Sequence, residues 1–317
     1  KFTILSLVST ITGWILINAH MWYIIEIVIL YLGFYIIYSL IENRRIATLI
    51  MSIFVVVMIT GSLLLGHGSD LSSKYWFMGE WWYNTTICFI LGILISQNEE
   101  KIRNIARKFY ILLLVLFAAL TVVFANLTTY ALNTWSYWHE YVGYPGYKEK
   151  FLSLIIQAPW VVFFVITVLL IMMKVRFGNR VINYIGKISL ELYLIHNLFL
   201  SGIYNGPIMT IRSNSMYILL TILLSIGFAS LINGLDRYLI SSIKNRTNSI
   251  ILSNVNQETK QNRIHSIEVL RIVMAFLVVT IHIPFNGTAG DIFITYGKIA
   301  VPFFLVVSGY FLLFTFA

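Results

Sequence analysis

The chain has 317 residues, 59% of them hydrophobic and 11% charged, with a formal net charge of +9. Soluble domains are nearer half apolar and a quarter charged, so a mean hydropathy of +0.83 over the whole length excludes an ordinary water-soluble fold. A single cysteine, Cys88, excludes an internal disulfide and argues against a cysteine-based zinc site.

A membrane-spanning helix needs about 20 apolar residues, within a range of roughly 17–25. Ten stretches read this way in chain order: about 2–18, 22–41, 46–66, 82–97, 109–126, 151–173, 185–204, 214–234, 267–283 and 297–316, the fourth being short. The alternating segments of about 10 residues that mark a transmembrane barrel are absent. The expected fold is therefore all-α, a polytopic transmembrane helix bundle of about ten spans. Its 19 Tyr, 22 Phe and 8 Trp supply interfacial aromatic belts.

Loop charge sets the expected orientation. The loops 42–45, 97–108, 174–187 and 235–265 carry +1, +2, +4 and +3. The loops between them, 66–81, 127–150, 205–213 and 284–296, carry −1, 0, +1 and −1. Positive loops face the cytoplasm, which puts both chain ends there. The basic residues are spread over these loops and not gathered on one soluble face, so no nucleic-acid partner is expected; membrane lipids are. The chain opens at Lys1 inside one apolar run and stops inside another, so both ends read as cut and no signal peptide is visible.

Ionisable and polar residues inside the spans carry the chemistry, because such groups are costly in hydrocarbon and mark functional paths. The second stretch places His20 and Trp22 at its outer end and Glu26 one turn deeper. A histidine–tryptophan anchor and a protonated packing carboxyl would have the same pattern. The outer loop 133–150, with four Tyr, two Trp, His139 and Glu140, reads as an aromatic belt or as a sugar-stacking surface. In ISLELYLIHNLFL (188–200), Ser189, Tyr193 and His196 share one helical face, and Glu191 lies about 140° from His196. Interhelical hydrogen bonding accounts for such a stripe equally well. No role is assigned to His67 or His265.

RIVMAFLVVTIH (271–282) has an arginine at one end and a histidine at the other. Eleven residues make close to three helical turns, so Arg271 and His282 project from one face, roughly 16 Å apart along the axis. Glu268, three residues before Arg271, joins that face. An interfacial ion pair and a histidine at the outer end would look alike. Then come Pro284, a short outer loop and VPFFLVVSGY (301–310). Ser308 and Gly309 there suit close helix packing, and no base accompanies Ser308 in sequence. Metals are not expected, for there is no HExxH or clustered His/Asp set, and GSLLLG (61–66) lacks the lysine of a phosphate loop.

The order "LR, ten residues, H", a short loop and then "VPFF…SGY" resembles the acyltransferase-3 family of ten-span membrane O-acyltransferases. IEVLR stands where that family often has an Asp-containing leader, so Glu268 is a small departure. AHMWYIIEIVILY (19–31), LGILIS (91–96) and IGKISLELYLIH (185–196) resemble three further spans of the family. The order differs. Residues 1–234 resemble spans three to ten, 235–263 read as a cytoplasmic polar linker, and 264–317 resemble spans one and two. Either a tandem protein seen through a window or a circular permutation gives that order.

The resemblance implies an integral-membrane O-acyltransferase of the bacterial plasma membrane. Its co-substrate would be an acyl-CoA, first of all acetyl-CoA, reached from the cytoplasm. The acceptor would be a hydroxyl of an envelope glycan or lipid-linked sugar. Arg271 would hold the anionic part of the donor, Glu268 would orient it, and His282 would act as base or acyl carrier. His20, Trp22, Glu26, Tyr193, His196 and Ser308 are the candidates for the substrate pocket. The same buried Glu26, Arg271 and His282 would also suit a transporter of a small amino acid, like the membrane part of serine racemase fusions. A cut segment lacking partner spans would be inactive.

Overall fold

The computed structural model describes residues 22–65, 85–135, 146–174, 180–195 without 190 and 194, 214–248, 265–282 and 287–316. Among these residues every regular element is a helix. In order they are α1 (Trp22–Leu40), α2 (Arg44–Leu65), α3 (Ile87–Gln97), α4 (Glu99–Lys108), α5 (Tyr110–Trp135), α6 (Tyr147–Met172), α7 (Arg180–Lys187), α8 (Asn214–Asn248), α9 (His265–His282), α10 (Thr288–Gly297) and α11 (Ala300–Phe316). Helices satisfy their own backbone groups, the condition for crossing hydrocarbon.

Among the described residues six helical stretches are long and apolar enough to span a membrane: Tyr23–Leu40, Arg44–Leu64, Tyr110–Trp135, Tyr147–Met172, Met216–Tyr238 and Gly290–Thr315. Each falls on one of the ten expected spans. α3 is apolar but has only 11 residues. α9 has 18 residues, about 27 Å of helix. The expected span 2–18 and residues 196–204 lie outside the described residues. Large apolar side chains line the outer faces, with Leu40 78% and Ile111 75% exposed. A surface of that kind belongs against lipid. The protein is an integral membrane protein.

Three charged loops read from sequence contain helices. Residues 99–108 form α4, EEKIRNIARK, whose only buried residue is Ala106 and which pairs Arg103 with Glu99. Its acidic first turn and basic last turn both oppose the helix dipole favourably. The second is α7, within 174–187, and the third is α10, within 284–296. Likewise α8 runs through the polar stretch as far as Asn248. Short amphipathic helices like these escape a test based on charge and hydropathy alone.

The chain forms two compact units, one of residues Lys1–Lys174 with Lys298–Ala317, the other of Val175–Gly297. In the first, α5 lies along α6. Thr121 and Thr167 hydroxyls meet at 3.2 Å, and Phe163 packs on Phe117 and Phe124. α3 packs on α11 with almost no side chain between them. A β-carbon added at Gly309 would overlap the carbonyl oxygen of Phe89, and one at Gly92 that of Val306. Small residues permit this approach, which dispersion rewards in lipid. A polar knot ties α1, α2 and α3 together. The Thr48 hydroxyl donates to the Arg44 carbonyl at 2.8 Å. It therefore accepts from both Tyr38 Oη, at 2.7 Å, and Gln97 Nε2. In the second unit Ile188, Leu192 and Ile195 form a core with Ala229 of α8.

Gly309→Ala and Gly92→Ala should each lower the thermal midpoint of the purified protein in detergent micelles, at a cost of roughly 1–3 kcal/mol of overpacking strain. Gly227→Ala, a position with open space around it, should leave the midpoint unchanged or raise it. Equal behaviour of all three variants would refute the close approach of α3 and α11.

Candidate functional site

In the second unit α9 runs unbroken from His265 to His282. The 11-residue spacing of Arg271 and His282 therefore stands as three turns of one helix. Along that stripe, at one and two turns from Arg271, come Ala275 and Val278. Both line a cavity of about 160 Å³. Ile272 and Phe276 complete the α9 wall. Opposite stand Leu192 and Tyr193 from the stretch after α7, and Ile222, Ser225 and Ile226 from α8.

Local sequence explains why these pieces meet. Residues 272–281 of α9 are apolar apart from Thr280, and Met274, Leu277 and Val278 are buried. Thr280 returns its hydroxyl to the Leu277 carbonyl at 2.8 Å, so no polar group is left idle. α10 seats against α9 through a T-shaped Phe276–Phe293 pair at 6.0 Å. Gly297 sits where a β-carbon would strike Ile281 and the Leu277 carbonyl. Beyond α7 the Leu192 N–H donates to the Ile188 carbonyl at 2.9 Å, continuing the helical path that carries Tyr193. Asn233 Nδ2 donates to Glu191 Oε1 at 2.7 Å and fixes that path against α8.

The predicted site residues divide between the units. Arg271 is half-buried and Tyr193 is buried at the cavity wall. His282 and Glu268 are placed on α9 and Trp22 at the start of α1, but their side chains lie outside the description. His20 and His196 lie outside the described residues, as does the middle of the aromatic loop, 136–145. Ser308 is half-buried on α11 in the first unit, beside the glycine that packs on α3.

Glu26, also in the first unit, is completely buried. Its carboxylate accepts from Thr86 Oγ1 at 2.7 Å and from Thr85 Oγ1 at 3.1 Å. Both threonines sit at the entrance to α3, so the acid of α1 is tied to that helix end. Sequence reading missed a second buried polar group in the first unit. Lys150, Ser153 and Gln157 of α6 are 1%, 0% and 6% exposed. Gln157 donates to Ser153, and Lys150 Nζ lies 5.7 Å from the centre of the Tyr147 ring. The i, i+3, i+7 spacing was the available signal, obscured because Lys150 falls at the edge of an expected loop. Ser225 was missed for another reason: one serine in an apolar span has no pattern to betray it. Among the described residues no cluster of three His, Cys, Asp or Glu could hold a metal.

A family model described as an acyltransferase domain, Acyl_transf_3, matches residues 2–234. The chain belongs to the acyltransferase-3 family. It is an acyltransferase, and the group transferred is an acyl group other than aminoacyl. The acyltransferase-3 match runs from before α1 into α8 and does not include α9. Comparison with curated proteins and with solved structures gives no match.

Glu26→Gln keeps an acceptor for the threonine hydroxyls and should change stability little. Glu26→Leu removes it and should cost about 1–3 kcal/mol, the usual loss at a broken buried polar contact. The thermal midpoints of the two variants in one detergent decide; a leucine variant as stable as wild type would overturn the assignment.

Proposed function

We propose that the protein transfers an acyl group from a cytoplasmic acyl-coenzyme A, in the simplest case acetyl-CoA, to a hydroxyl of an envelope glycan or lipid-linked sugar. One observation carries the reading. Arg271, nearly two turns into the helix, and His282, its last residue, lie on one unbroken helix, and Ala275 and Val278 between them border a cavity. Family membership supplies the reaction class. Residues 264–317 then furnish the spans that the family places first, 1–234 the remainder and 235–263 the cytoplasmic connection.

The roles follow from where charge must go. A guanidinium grips phosphate in a planar fork, so Arg271, in the half of α9 that follows the basic stretch, holds the anionic part of coenzyme A. Glu268, three residues earlier, orients it. The roughly 16 Å between Arg271 and His282 suits an extended pantetheine arm. His282 takes the proton of the acceptor hydroxyl as that oxygen attacks the thioester carbonyl carbon. The new C–O bond forms, the C–S bond breaks, and the departing coenzyme A sulfur takes the proton from the imidazolium. The products are an ester and free coenzyme A, with no redox change and no metal required by the chemistry. Tyr193, which borders the cavity beside α9, is a substrate-contact candidate, and His20, Trp22, Glu26, His196 and Ser308 are the remaining candidates. The positive-loop rule supports a donor and chain ends on the cytoplasmic side, and the family reading a bacterial plasma membrane.

Membranes carrying the full chain, supplied with radiolabelled acetyl-CoA, should place label in the glycan fraction. His282→Ala should reduce the rate by about 10²–10⁴-fold, the usual worth of a general base. Arg271→Ala should act chiefly on KM for the donor, raising it by about tenfold or more, since hydrogen bonds to charged groups are worth roughly 1.5–3 kcal/mol. Arg271→Lys should recover part of that loss. Undiminished labelling by His282→Ala would defeat the proposal.

A further inference from the structure

The cavity beside α9 is larger and more apolar than an acetyl group requires. A cavity of roughly 150 Å³ walled by Leu, Ile and Phe holds benzene, a six-carbon guest. The present one has about 160 Å³, with Ile222, Ile226, Ile272 and Phe276 among its walls. An acetyl group would leave most of it empty.

Ser62, Thr128, Thr221 and Ser225 carry buried hydroxyls with no partner among the described residues, and of these four Ser225 is the one that lines the cavity. Thr48, Ser52, Thr121, Thr167 and Ser230 all return their hydroxyls to the carbonyl four residues earlier, at 2.6–2.8 Å. Ser225 is 1% exposed, and its Oγ has no partner among the described residues. A buried hydroxyl held this way is unfavourable unless something else bonds to it. It borders the same space as Ala275 and Val278, the two residues between Arg271 and His282 on the α9 stripe.

We propose that this cavity receives the acyl group of the donor, that it suits a chain of about four to six carbons, and that the Ser225 hydroxyl donates to the acyl carbonyl oxygen. The proposal rests on the acyl-transfer reading and adds to it the acyl class and the residues that select it. Ala275 leaves the room, being the smallest side chain on the α9 wall. Phe276 and Ile222 limit the depth.

The test uses purified full chain in detergent micelles for binding, and membranes carrying it for transfer, with acetyl-, butyryl-, hexanoyl- and octanoyl-CoA. Butyryl- and hexanoyl-CoA should give the highest kcat/KM. Ala275→Phe should move the optimum to acetyl-CoA, with the hexanoyl value falling by about 10–200-fold, the span that a few methylenes command in an apolar pocket. Phe276→Ala should shift the optimum toward octanoyl-CoA and decides alone if Ala275→Phe aggregates. Ser225→Ala should lower kcat/KM about tenfold for every chain, one hydrogen bond's worth. Chain-length preference untouched by both Ala275→Phe and Phe276→Ala, in a protein that still transfers acyl groups, would overturn the pocket. Ser225→Ala that raises the thermal midpoint and leaves kcat/KM alone would overturn the role of the hydroxyl. No binding or transfer with any of the four donors would instead remove the underlying acyl-transfer reading.

Discussion

Hydrocarbon offers no hydrogen bonds, and that single fact governs how this chain is built. Each peptide N–H and C=O must find its partner within the same segment, so the described residues fold as helices and the connections between them are helical where they can be. Several side chains obey the same rule. Thr48 accepts two bonds and gives one, Glu26 is met by two threonines, and Asn233 reaches Glu191. Without a hydrophobic drive between helices in lipid, close approach has to supply the cohesion. Gly92 and Gly309 provide it by bringing two backbones together.

Polar groups that survive inside such a bundle are there at a cost, which is why they point to chemistry. They fall into two sets. One lies in the first unit, around Glu26 and along the Lys150–Gln157 face of α6. The other lies in the second unit, where α9 carries Arg271 and His282 and where Ser225 faces an apolar cavity.

Much of the fold could be read from the residues. The stretch 22–41 became Trp22–Leu40, and 46–66 became Arg44–Leu65, because runs of Ile, Val and Leu near 20 residues admit few other structures in lipid. The stretch 267–283 was equally legible and became His265–His282. Charge counting hid α4. Its ten residues hold four basic and two acidic side chains, so composition reads as loop while the spacing of Ile102, Ile105 and Ala106 is helical. Burial of Lys150 escaped for a different reason: hydropathy averages over a window and does not know which way one side chain faces. The cavity was beyond reach, since its walls come from three segments as far apart as Ile185 and Val278 in the chain.

α3, α4 and α5 follow one another with a single residue at each joint, Asn98 and Phe109. Each joint residue is bonded on both sides: Asn98 N–H donates to the Leu94 carbonyl at 3.2 Å and its carbonyl accepts from Ile102 N–H at 2.9 Å, while Phe109 N–H donates to the Ile105 carbonyl at 3.0 Å and its carbonyl accepts from Leu113 N–H at 2.9 Å. Tyr310 Oη adds a latch from α11 to Glu99 at 2.8 Å. Such an elbow has no slack. The surface helix is thereby bonded to the ends of both α3 and α5, and through the tyrosine to α11 as well.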